Sequence, residues 1–115
     1  MSARLSSSVL WGRGEAKLTF GEFKESVVCR EMPLELSPAL AALWLDACGD
    51  WEAAHDRLQG AADRDSDWVH AYLHRKEGDL SNAGYWYRRA GRQASEQTLE
   101  LEWEEIVAAL LEASP

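Results

Sequence analysis

Apolar residues recur at helical intervals from Phe20 onward, and polar or glycine breaks cut the pattern into short segments. Phe20, Phe23, Val27 and Val28 form one stripe, and Thr19 with Glu22 just ahead of it has the form of a capping box. The pattern predicts a first helix to about Cys29, ended by Met32-Pro33. Ser37 followed by Pro38 supplies a favoured N-cap and a first-turn proline, so a second helix should run to about Cys48. Gly49 closes it. Asp50 then caps a third helix from Trp51 to about Ala62, with Ala54, Leu58 and Ala61 on one face. Asp65-Ser66-Asp67 opens a fourth over 67–76, and Gly78-Asp79 turns the chain into a fifth over 80–90, stopped by Gly91. Ser95 or Thr98 caps a sixth over 98–113, in which Leu99, Trp103, Ile106 and Leu110 lie opposite a row of glutamates. No segment alternates apolar and polar residues over five positions, so no strand is expected.

The middle of the chain is written twice at a spacing of 29 residues, 37–61 aligning without a gap on 66–90. Ser37, Ala42, Gly49-Asp50, Ala54 and Ala61 recur as Ser66, Ala71, Gly78-Asp79, Ala83 and Ala90. Small residues at fixed intervals mark the places where two helices must touch. The physical reading is a helix, a tight turn and an antiparallel helix, a unit that buries its apolar face only by stacking on a neighbour. The expected fold is all-α: antiparallel helical hairpins stacked as a short array of about six helices, or three pairs. Residues 1–17, with Gly12, Gly14 and a lone anchor in Trp11, are expected to be a flexible arm. Residues 18–115 are expected to be a single helical-repeat domain, with repeats at 37–61 and 66–90 and a capping helix at 98–113.

The order Ala71, Gly78-Asp79, Ala83, Tyr87, Ala90 resembles the tetratricopeptide repeat. The first copy follows with Ala42, Gly49-Asp50, Ala54 and Ala61, but has Leu58 in place of the aromatic. Repeats of that family run about 34 residues, so the shorter linker here reshapes any groove. The string from His70 to Asp79, with Asn82-Ala83 and Tyr85-Trp86-Tyr87, is also similar to a family of small uncharacterised single-domain proteins, a resemblance that implies no activity.

Composition changes the picture mainly by exclusion. Hydrophobic residues make up 46% and charged residues 28% of 115 residues, the balance of a globular chain. A net charge of −8 opposes nucleic-acid binding. No run of about 18 apolar residues suggests a membrane span, and residues 1–10 lack the apolar core of a signal peptide. A cytoplasmic protein is expected, with Cys29 and Cys48 as buried, reduced thiols. Arg75, Lys76, Arg88, Arg89 and Arg92 form the one basic cluster, and residues 93–115 carry six acidic groups and no basic one. Their attraction within one molecule is the simplest explanation.

Trp68, Tyr72 and Arg75, at i, i+4 and i+7, make a ridge on the fourth helix, and in the resembled family that face lines a concave groove. Asp46, Trp86 and Arg88 are expected nearby. Such a ridge suits a non-catalytic interaction module that binds a peptide segment, a protein, an anionic small ligand or a second copy of itself, with no cofactor. The competing reading packs the ridge on the second or sixth helix, with Arg75 paired to Asp46 or a C-terminal glutamate. Tyr85, Trp86 and Tyr87 are consecutive, so they cannot share one face. His70 and His74 lie four apart on one helix face, and His55 is a third candidate on the neighbouring helix. Hydrogen-bonded interhelical histidines are the favoured account. The alternative is a small metal- or histidine-dependent enzyme, which requires all three to converge. No nucleophile elbow or phosphate-cradling loop is present.

Overall fold

Local signals set most of the helix ends. The computed structural model describes residues 17–113 and contains α1 (Phe20–Cys29), α2 (Pro38–Ala47), α3 (Trp51–Arg57), α4 (Arg64–Glu77), α5 (Leu80–Ala90) and α6 (Leu99–Ala113). No strand occurs among the described residues, and no helix there is long and apolar enough to cross a membrane. The arm expected over 1–17 lies, Lys17 apart, outside the described residues.

Thr19 and Glu22 close a reciprocal capping box on α1. Ser37, Asp50 and Asp79 cap α2, α3 and α5 by accepting from the amides of Leu40, Ala53 and Asn82. Thr98, rather than Ser95, caps α6 through Leu101. Two boundaries differ from expectation. α3 ends at Arg57 instead of Ala62, because Gly60 at φ +81 turns the chain out of the helix although the apolar spacing continues through Leu58 and Ala61. α4 begins three residues early, because Asp63 captures both the amide and the hydroxyl of Ser66.

α3 has only 7 residues, so its cap carries a large share of its stability. Asp50→Ala is expected to cost about 1 kcal/mol, read as a lowered urea midpoint; an unchanged midpoint would show the cap to be idle.

Packing follows the repeat. The tightest pairs are α2 with α3 and α4 with α5, the two hairpins, and the four repeated alanines Ala42, Ala54, Ala71 and Ala83 are all essentially buried at the helix contacts. α1 and α6 form no third hairpin: they meet through Phe20 and Phe23, whose rings lie 6.4 and 6.0 Å from that of Trp103. α4 is the central element, packed against α2, α3, α5 and α6. Every residue from Ser66 to His74 is buried, polar ones included. Indole N–H groups tie the layers together: Trp44 donates to Ser26 Oγ, Trp51 to the Leu73 carbonyl and Trp103 to the Leu43 carbonyl. The cysteines depart from expectation, since both are half-buried at helix ends.

Candidate functional site

A helix turns about 100° per residue, so Trp68, Tyr72 and Arg75 occupy one face of α4 while His70 and His74 occupy the opposite one. The two candidate groups are thereby separated by the width of the central helix.

The aromatic ridge faces α2 and α6 and is closed over. Trp68 and Tyr72 are 4% and 3% exposed, which leaves a ligand almost no surface on either ring. Arg75 donates to Glu102 Oε1 at 2.8 Å and also reaches the Gln97 carbonyl. Glu102, 1% exposed, accepts in addition from the Tyr87 hydroxyl. Asp46, equally buried, takes Lys76 Nζ on both oxygens at 3.0 and 3.1 Å. Burial raises the phenols of Tyr72 and Tyr87, and the neighbouring Asp46 and Glu102 carboxylates add to it. The attraction expected between the basic cluster and the acidic last helix therefore has a specific form: Arg75 and Glu102 pair beneath the surface. Arg88 is exposed on α5, while Trp86 belongs to the other side of α4.

There the three histidines converge. His55 from α3 and His70 and His74 from α4 each offer a ring nitrogen, and the three nitrogens lie within 4.8 Å of one another. His70 and His74 are parallel, one helical turn apart, with His55 presented edge-on to both at centroid distances of 5.0 and 5.1 Å. Two indoles wall the cluster: Trp51 stacks on His55 at 5.0 Å and Trp86 on His70 at 4.0 Å. Two of the histidines have polar partners close by in sequence. Gln59 lies 3.3 Å from Nδ1 of His55, and Glu77 Oε1 lies 3.3 Å from Nδ1 of His74. His70 is 6% exposed.

That arrangement favours the neutral form of His70 and His55. Burial first, then the proximity of His55, His74 and Arg89, pulls His70 down to about 4, and His55 is lowered by burial and by His74. A neutral imidazole is the form that binds a metal, so no proton need be displaced from these two rings at neutral pH. A carboxylate only accepts, so Glu77 favours a hydrogen on Nδ1 of His74, the tautomer whose Nε2 can ligate. Gln59 does the same for His55 when its amide oxygen faces the ring. At a zinc–nitrogen length of about 2.0–2.1 Å, tetrahedral donors sit about 3.3 Å apart, so the rings need to close by an ångström or so. The soft terminal torsion of histidine readily accommodates this.

Sequence spacing placed His70 and His74 together but missed Trp51, Gln59 and Glu77. A signal existed: Trp51, His55 and Gln59 stand at i, i+4 and i+8, one column along the third helix, and Glu77 follows His74 by three. A separate open groove of about 520 Å³ runs beside α1, α2, α4 and α6, lined by Val27, Val28, Asp46, Tyr72, Lys76 and Trp103 among others. The chain matches no family model, no curated protein and no solved structure.

Proposed function

We propose that this protein binds a borderline divalent transition ion, of the zinc class, between its two hairpins through His55, His70 and His74. The observation that carries the reading is the approach of three ring nitrogens from two helices to within 4.8 Å, two of them on buried histidines. Three imidazoles suit zinc, copper, nickel or iron far better than magnesium or calcium, which prefer oxygen. Because one ligand comes from hairpin α2–α3 and two from α4–α5, bound metal also ties the repeats together, and stability rises by linkage, about 4 kcal/mol at a thousandfold excess over the dissociation constant.

The test is zinc uptake by the metal-stripped protein, followed by calorimetry and thermal unfolding. One ion per chain and a raised Tm are expected. Both effects should vanish in His70→Phe and His74→Phe, which keep a flat ring in the aromatic stack but cannot ligate. Folded protein that takes up no zinc, or variants that take it up unchanged, would overturn the reading. Glu77→Gln, which weakens the acceptor behind His74, should lower affinity by about 10–100-fold.

A second reading keeps the interaction module: a tetratricopeptide-like pair of hairpins in a cytosolic setting, holding a peptide or protein partner, or a second copy. The groove beside α1, α2, α4 and α6 favours it, because it borders the expected site and brings in an exposed Val28. A partner bound there should protect Val28→Cys from alkylation, and a thiol that reacts equally with and without partner would exclude this groove.

A further inference from the structure

If the three histidines hold a metal, they do not fill its coordination shell. Building on that reading, we infer that the centre is open, with an exchangeable position that takes water or a small monodentate anion. Among the described residues, no fourth histidine, cysteine or carboxylate joins the set formed by His55, His70 and His74; the nearby acidic group of Glu77 and Asp79 shares only His74 with it. Closed structural zinc sites use four protein donors, whereas three-donor sites keep a position for an outside ligand.

Among the described residues, the neighbours of the cluster are engaged elsewhere. Trp51 and Trp86 present ring faces, and the Trp51 N–H is committed to the Leu73 carbonyl. Gln59 lies against Nδ1 of His55, Glu77 against Nδ1 of His74, and Asp79 Oδ1 accepts from the Asn82 amide. The way in is from the α3 side, because His55 is half-buried while His70 and His74 are buried. Indoles on two sides restrict the incoming ligand to a few atoms.

Charge selects its sign. Three neutral imidazoles leave the ion its full double positive charge, which a fourth thiolate or carboxylate would have reduced, and apolar walls strengthen its field at short range. The overall charge of −8 acts from farther away and is screened over about 8 Å at physiological ionic strength.

Cobalt(II) in place of zinc reports the geometry through its visible absorption. The full chain is loaded with one equivalent of cobalt and titrated with azide, with cobalt retention measured after desalting. An open centre gives a saturable shift of the visible band while the metal stays bound, and His70→Phe loses both band and shift. Cobalt bound one to one, with a band indifferent to azide, would mean a closed shell and overturn the inference while leaving metal binding intact. Loss of cobalt to azide overturns it equally. Failure to bind cobalt or zinc at all removes the metal reading itself, a distinct outcome.

Discussion

Glu102→Ala is expected to lower the unfolding free energy by about 3–5 kcal/mol, the cost of removing one partner from a buried ion pair. The carboxylate is 1% exposed, holds Arg75 at 2.8 Å and accepts from the Tyr87 hydroxyl, so its loss strands a half-buried guanidinium and a buried phenol together. These two partners belong to α4 and α5, while Glu102 sits on α6, so the network is the polar link between the second hairpin and the last helix. Glu102→Gln keeps the volume and an acceptor for Tyr87 but no charge for Arg75, and should cost less, about 1–3 kcal/mol. Replacing all three together, with Glu102→Leu, Arg75→Met and Tyr87→Phe, should cost less than Glu102→Ala alone, because no polar group is then left unpartnered. Urea unfolding measures the series. A loss below about 1 kcal/mol for Glu102→Ala would mean that apolar contacts alone dock α6.

Acid should weaken the metal-free protein over a window set by His70. The folded chain protonates this ring only near pH 4, whereas its ordinary value is 6.5. Between those values the unfolded chain binds more protons, so the stability that the neutral ring contributes is complete above pH 6.5 and drains away as pH falls to 4. At about 1.4 kcal/mol per unit, reduced because the ring lies close to the surface, the loss is about 2 kcal/mol. The lowered His55 adds in the same direction. His70→Phe carries no charge at any pH. Its stability should be near that of the parent at pH 7 and greater by about 2 kcal/mol at pH 4, so the two curves separate on acidification. Curves that stay parallel from pH 7 to 4 would contradict the burial of a neutral His70.

Much of this architecture was legible in the sequence wherever the cause is local. The caps at Thr19, Ser37, Asp50 and Asp79 each satisfy amides within three residues, and the repeated alanines mark helix contacts before any contact is seen. The start of α4 was harder, because Asp63, Asp65, Ser66 and Asp67 all have capping chemistry; the burial of Ser66 and Asp67 inside the helix decides for Asp63. Spacing likewise put Trp68, Tyr72 and Arg75 on one face but could not say what covers it. α6 arrives from 27 residues beyond Arg75, and its buried Glu102 turns a candidate ligand-binding arginine into an internal partner. Convergence of the histidines also depends on tertiary packing. Four-residue spacing unites His70 and His74, whereas His55 reaches them only because α3 lies against α4.

The burial of α4 on every side also bears on how the molecule comes apart. In a long repeat array each unit touches only its neighbours, so terminal units fray while the middle stays folded. Here four helices lean on one, and α6 reaches back across α4 to α2. Neither hairpin can loosen without uncovering α4, which makes breakdown all-or-none, with the amides of Val69 to Leu73 among the last to exchange with solvent. A chain whose middle is written twice thus behaves as a single cooperative body.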